Sequence, residues 1–208
     1  MDTDNFLEED VKNQISEELM RLSNAFPFNT GNLYTDSERY ERILGILFSC
    51  LPPSPRAWTL CETYLEHASW IFRPVKRDEI VDDILTPIYN AKAERDDPNV
   101  ENTTAVSPHK LAVLFMIFAQ GALVDLTIPP YSAEAEKYHH YGRAALSLRS
   151  VFESPVIETV QAIVLMGYYH SNAGKRYTLD GVWILVALGA KLAQSVRQSV
   201  GSLLIFLY

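Results

Sequence analysis

Ser107-Pro108-His109-Lys110-Leu111-Ala112-Val113-Leu114-Phe115-Met116-Ile117-Phe118 is the stretch whose reading decides the fold. A hydroxyl acceptor one residue before a proline suits a helix N-cap followed by the first helical position. From Leu111 to Phe118 every residue is apolar, and a helix apolar on all sides must be surrounded by other elements. The segment therefore predicts the centre of the domain.

The same serine-proline signal recurs on either side, at Ser54-Pro55 and Ser154-Pro155. After Ser54, Ala57, Trp58, Cys61, Leu65, Ala68 and Phe72 recur at spacings of three and four, predicting a helix to about Phe72, with Trp70 off the stripe. After Ser154, Val156, Ile157, Val160, Ile163, Val164 and Gly167 do the same, and Gly174 supplies a left-handed stop. Flanking helices are expected over roughly Ala133 to Val151 and Arg176 to Gln194, with Asn172 to Lys175 a tight helix-helix turn. The N-terminal third carries weaker stripes at Phe6, Val11, Ile15, Leu19 and Leu22, and at Tyr40, Ile43, Leu44, Leu47 and Phe48. Arg77 to Tyr89 is a further helix candidate, and Ala91 to Val106 reads as a surface loop. No segment alternates apolar and polar residues as a strand would. The expected fold is all-α: helical hairpins packed around a central apolar helix, with no β-sheet.

A chain of 208 residues that is 48% apolar can bury the core of a single domain. Its net charge of −8 and pI near 5.1 oppose broad contact with phosphates, so no direct nucleic-acid binding is expected. Cys50 and Cys61 are too few for a disulfide scaffold or a thiolate zinc site, so a reducing compartment fits and no cofactor is expected. The N-terminus is acidic where a secretory signal would be basic, and the longest apolar run, Leu111 to Ala119, is half a membrane span. No membrane association is expected.

Candidate chemistry is sparse. Glu136 and His139 have the i, i+3 spacing of half a di-iron carboxylate site, but no second Glu-x-x-His follows, and a solvated helix face is the expected reading. Asp82-Asp83 starts like a magnesium-diphosphate motif but continues Ile84, Leu85, Thr86, so a surface charge cluster is expected. His139, His140 and His170 could poise a proton, yet no serine or cysteine with an orienting carboxylate accompanies them; core or rim positions are expected. The cysteines read as small buried hydrophobes. The sequon Asn102-Thr103-Thr104 matters only in a secreted chain. No catalytic, metal or DNA-binding residues are assigned, and no enzyme activity is expected. Tyr168, Tyr169, His170, Arg176, Tyr177 and Trp183 gather rings and a cation around one hairpin and form the candidate ligand or partner surface, against the plainer expectation of hairpin packing.

A resemblance enters at the central block. Ser107 to Phe115, then Ala119-Gln120-Gly121-Ala122-Leu123-Val124-Asp125-Leu126, then Pro129-Pro130-Tyr131, resemble the middle homology region of fungal zinc-cluster transcription factors of the xylanolytic-activator type. Further blocks follow in order: Glu134-Ala135-Glu136-Lys137-Tyr138, Arg143 to Leu148, Ser154-Pro155, Thr159-Val160-Gln161-Ala162, Gly174-Lys175-Arg176-Tyr177, Gly181-Val182-Trp183 and Gly189 to Ser195. The resemblance spans roughly Pro55 to Ser195. It implies a nuclear regulator of RNA polymerase II transcription whose helical region answers to the transcription machinery, regulatory proteins or a small-molecule effector.

The chain departs from the family pattern twice. The six-cysteine, two-zinc cluster and basic DNA-reading region are missing, so zinc and DNA binding would be family properties only. After Ser195 the family's glycine, leucine, histidine, arginine block gives way to Val196-Arg197-Gln198 and the apolar Leu203 to Tyr208. The organisation expected is a helical extension over 1–50, a truncated regulatory domain over 51–195 and an atypical apolar tail over 196–208, which should favour self-association. The alternative is a helical scaffold or adaptor; no repeat of about 34 residues supports a tetratricopeptide array.

Overall fold

Helix caps and apolar stripes divide the chain as follows in a computed structural model that describes residues 15–28, 36–70, 72–100 and 104–205, without the side chains of 175 and 198–205. The α-helices are α1 Glu17–Ala25, α2 Ser37–Ser49, α3 Ser54–Thr63, α4 Thr86–Asp96, α5 Pro108–Leu123, α6 Ala133–Leu146, α7 Ile157–Asn172 and α8 Leu179–Ile205. A π-helical turn, Tyr64–Ala68, continues α3, a second, Glu79–Leu85, leads into α4, and a 3-10 turn, Gly174–Arg176, joins α7 to α8. The fold is all-α, with no strand among the described residues.

Helix α5 is the centre, as the opening stretch predicts: Leu111 to Ala119 are fully buried. It packs against α3, α6 and α7, while α1 lies on α6, and α8 pairs with α7. The backbones of α3 and α5 come so close that a Cβ added at Gly121 would fall inside contact distance of the Leu60 carbonyl oxygen. On the α6 side, Phe115 meets Tyr138 and Tyr141 at centroid distances of 6.3 and 5.5 Å. Arg56 of α3 ties the top of α6 to the preceding loop, donating to both Glu134 oxygens (3.1 and 2.6 Å) and to Asp125 (2.9 Å).

Several element bounds differ from those expected. The helix opened by Ser54 stops at Ala68, so Phe72 lies outside it and is half exposed. Helix α4 takes Ala91 to Asp96 from the expected loop because tertiary contacts anchor it: Ala91 is buried, and Arg95 stacks over Phe48 and pairs with Glu41. Helix α7 starts at Ile157 rather than Pro155, because Thr159 rather than Ser154 caps it, its Oγ1 accepting from Val156 N at 2.9 Å. That hydroxyl also lies 2.7 Å from Nδ1 of the buried His109, whose Nε2 donates to the Arg149 carbonyl. Helix α6 ends at Leu146, five residues short, and α8 begins at Leu179 behind a Thr178 cap and runs beyond Gln194. The first expected helix is described only from Ile15, so Phe6 and Val11 lie outside the described residues, as do Asn102, Thr103 and residues 206–208 of the tail. Asp82 and Asp83 are exposed, Cys61 is buried and Cys50 half-buried.

Candidate functional site

The hairpin between α7 and α8 is clasped onto the start of α6. Gly174 adopts φ +73°, a conformation open to glycine, and a Cβ there would press on the Tyr131 ring at 3.1 Å. Tyr131 itself has φ +55°, and its carbonyl accepts from the Arg176 guanidinium at 3.3 Å. This clasp carries Arg176 and Tyr177 over the face of α6 that bears Glu136, His139 and His140. Spacings of three and four put those three side chains on one side of the helix.

That face is not solvated. Glu136 is 7% exposed and His139 is fully buried, which corrects the reading of the Glu136/His139 pair as a solvated face. Helices α1 and α7 cover it, and a buried carboxylate must then find donors. Glu136 Oε2 accepts from Tyr169 Oη at 2.9 Å and Arg176 at 3.3 Å, and Oε1 accepts from Tyr177 Oη at 2.6 Å. His139 Nδ1 lies 3.1 Å from the same Tyr177 oxygen, and His139 Nε2 lies 3.0 Å from His170 Nε2. One assignment satisfies every atom: His170 Nε2–H donates to His139 Nε2, His139 Nδ1–H donates to Tyr177, and Tyr177 donates to Glu136. His140 completes the row, its Nε2 3.5 Å from Glu136 Oε1 and its Nδ1 2.8 Å from Ser23 Oγ of α1. The rings stack as well, His170 on Tyr177 at 3.7 Å and His139 on Tyr169 at 4.7 Å.

The charges follow from this packing. Burial alone would raise the Glu136 pKa; the polar groups gathered around the carboxylate, with the Tyr177 hydroxyl donating to it directly, outweigh burial and hold the carboxyl well below its usual range, so it is ionised. Burial pushes His170 down to about 3, helped by the neighbouring His139, and burial likewise lowers His139, so both rings are neutral near pH 7. Burial, then the Glu136 charge, pushes the Tyr169 and Tyr177 phenols up.

A second feature lies on the other side of α7. Tyr168 points away from Tyr169, as the helix period requires, and donates to the Ala68 carbonyl at 2.9 Å. With Phe72, Val160, Val164, Val182, Val186 and Ala190 it lines an apolar groove of about 460 Å3 between α7 and α8. Beyond the groove, α8 presents Leu179, Trp183 and Ile184 to solvent, each about two-thirds exposed or more. Its stretch Leu179–Arg197 is long and apolar enough to cross a membrane by length and composition, although Leu185 and Leu192 are buried against the body.

Of the six residues expected to form one surface, Tyr169, His170, Arg176 and Tyr177 come together around Glu136. Tyr168 belongs to the apolar groove, and Trp183 stands in solvent on α8. Ser23 and the inward role of Glu136 were missed. The Glu-x-x-His-His spacing was the available signal, but which way it faced depended on α1 and α7. Family models, curated proteins and solved structures were all compared with the chain, and none matches.

Proposed function

We propose that this chain acts by binding rather than by chemistry, as the regulatory region of a transcription factor of the fungal zinc-cluster class. In this reading it works in the nucleus on RNA polymerase II transcription, and the groove between α7 and α8 seats an apolar effector or the apolar segment of a regulatory protein. The observation that carries the reading is the groove itself: its volume of about 460 Å3 lies in the range of small-molecule sites, and its lining is almost wholly apolar. The ordered blocks from Pro55 to Ser195 supply the transcriptional context. Binding is preferred to catalysis because the candidate nucleophiles are passivated: burial pushes the Cys61 thiol up to about 12, and His139 and His170 are engaged with each other.

The test is a fusion of the full chain to a heterologous DNA-binding domain, read on a reporter in fungal cells. Val186→Asp and Ala193→Glu each place a charge on the groove at positions open to solvent. Reporter output should change with the wild-type fusion and lose that change in either variant, with far-UV circular dichroism preserved. Equal output from wild type and both variants would sink the reading. The adaptor reading comes second, favoured by the outward apolar face of α8. It would gain if Trp183→Lys abolished partner capture while the groove variants behaved as wild type.

A further inference from the structure

The buried row on α6 has the inner and outer layers of a metal centre. We propose that Glu136, His139 and His140 bind a single divalent transition-metal ion, zinc by preference, with the Tyr177 oxygen at the fourth corner.

The inner layer is a convergence of four donor atoms. Glu136 Oε1 lies 3.7 Å from His139 Nδ1 and 3.5 Å from His140 Nε2, and one ligand atom from each of the three residues falls within a 4.8 Å sphere of mutual distances. Ligands at about 2.0–2.1 Å from zinc stand about 3.3 Å apart at the corners of a tetrahedron. The two separations from Glu136 are a few tenths of an ångström wider than that, and the widest pair among the three ligand atoms, within 4.8 Å, has up to about 1.5 Å to close by side-chain rotation as the ion is taken up. Tyr177 Oη sits 2.6 Å from Oε1 and 3.1 Å from Nδ1. Two imidazoles, a carboxylate and a phenol oxygen form an N/O set that suits zinc and needs no thiolate.

The outer layer is the more telling observation. Each ligand's remote atom is already held. Glu136 Oε2 accepts from Tyr169 and Arg176, His139 Nε2 is bound to His170, and His140 Nδ1 is bound to Ser23. Metal-ligating histidines characteristically spend the second ring nitrogen on such a partner, which fixes ring orientation and tautomer. Here two helices, α1 and α7, and the α7–α8 clasp supply those partners to three ligands at once.

Charge and protons balance. The ionised Glu136 and neutral His139 present lone pairs to the ion once the His139–His170 pair changes tautomer: His139 carries its proton on Nε2 and donates to His170 Nε2, and His170 carries its own proton on Nδ1. The phenol proton now resting between Tyr177 and Glu136 Oε1 passes to solvent as Tyr177 ligates, so uptake releases a proton and strengthens as pH rises. Arg176 stays on the remote carboxylate oxygen and on the Tyr131 carbonyl, outside the coordination sphere.

The experiment uses the full chain, stripped with chelator, equilibrated with zinc sulfate or cobalt chloride and freed of loose metal by gel filtration. One zinc per chain is expected, together with the visible absorption of tetrahedral cobalt in the cobalt-loaded protein. His140→Ala should weaken zinc binding more than tenfold. Ser23→Ala, which leaves every ligand in place, should weaken it by about tenfold through loss of orientation. The Ser23 variant keeps the test decisive should His140→Ala fail to fold. Substoichiometric zinc in the wild type would overturn the proposal, and so would unchanged binding in both variants, which would place the ion elsewhere. Reporter output is a separate readout, so failure here and failure of the regulatory reading are distinguishable.

Discussion

At the scale of single residues, stability rests on two buried polar knots. Tyr177 links Glu136 to His139, so Tyr177→Phe removes one donor from a carboxylate that keeps Tyr169 and Arg176. A loss of about 1–2 kcal/mol is expected, measured by denaturant unfolding. Thr159 serves twice, capping α7 through Val156 N and meeting the buried His109. Thr159→Ala forfeits both and should cost about 2 kcal/mol, most of which Thr159→Ser should restore by keeping the hydroxyl. Equal stability of the alanine and serine variants would show that the hydroxyl does not matter.

At the scale of elements, the approach of α3 to α5 tolerates no side chain at Gly121. The obstacle is the Leu60 backbone carbonyl, which cannot swing aside as a flexible side chain would. Gly121→Ala should therefore destabilise by about 3 kcal/mol or prevent folding, with a lowered melting temperature as the readout. Helix α8 poses the opposite case. Trp183 and Ile184 are exposed, so their replacement by serine removes apolar surface without emptying the core. The double variant should show the wild-type melting temperature and less self-association in analytical ultracentrifugation. A large drop in stability would mean that this face is covered in the folded protein.

At the scale of the whole molecule, buried histidines make folding depend on pH. Burial holds His170 near 3 and lowers His139 and His109, whereas in the unfolded chain each titrates near its ordinary value of about 6.5. Below about 6.5 the unfolded state binds more protons than the folded one, so stability falls as pH drops, for His170 down toward 3, at up to about 1.4 kcal/mol per pH unit for each histidine until its folded value is passed. Glu136 acts in the same sense at lower pH. Its folded pKa is depressed, so the stability it contributes is present above its unfolded value and lost as pH falls through the folded one. Thermal melts from pH 7.5 to 5 should show a steady decline that begins above the carboxylate range, and His170→Asn should flatten it. The net charge of −8 also predicts no salt-sensitive shift of duplex DNA by the chain alone.

Periodicity and capping by themselves determined the all-α class, the central place of α5 and the hairpin of α7 and α8, because these depend on spacings of three and four that any register of packing preserves. The serine-proline signal placed the start of α5, although the Ser107 hydroxyl makes no capping hydrogen bond there, and it misplaced the start of α7, where a residue three positions into the segment, Thr159, holds the cap. Only tertiary structure decided which way the Glu136, His139 and His140 face turned, since a polar row reads the same whether it meets water or neighbouring helices. Only tertiary structure divided Tyr168 from Tyr169, one into the apolar groove and one into the polar knot. The physical reason is common to both: sequence spacing sets which side chains share a face, and the burial of that face is set by α1, α7 and the clasp at Gly174 and Tyr131, elements distant in sequence.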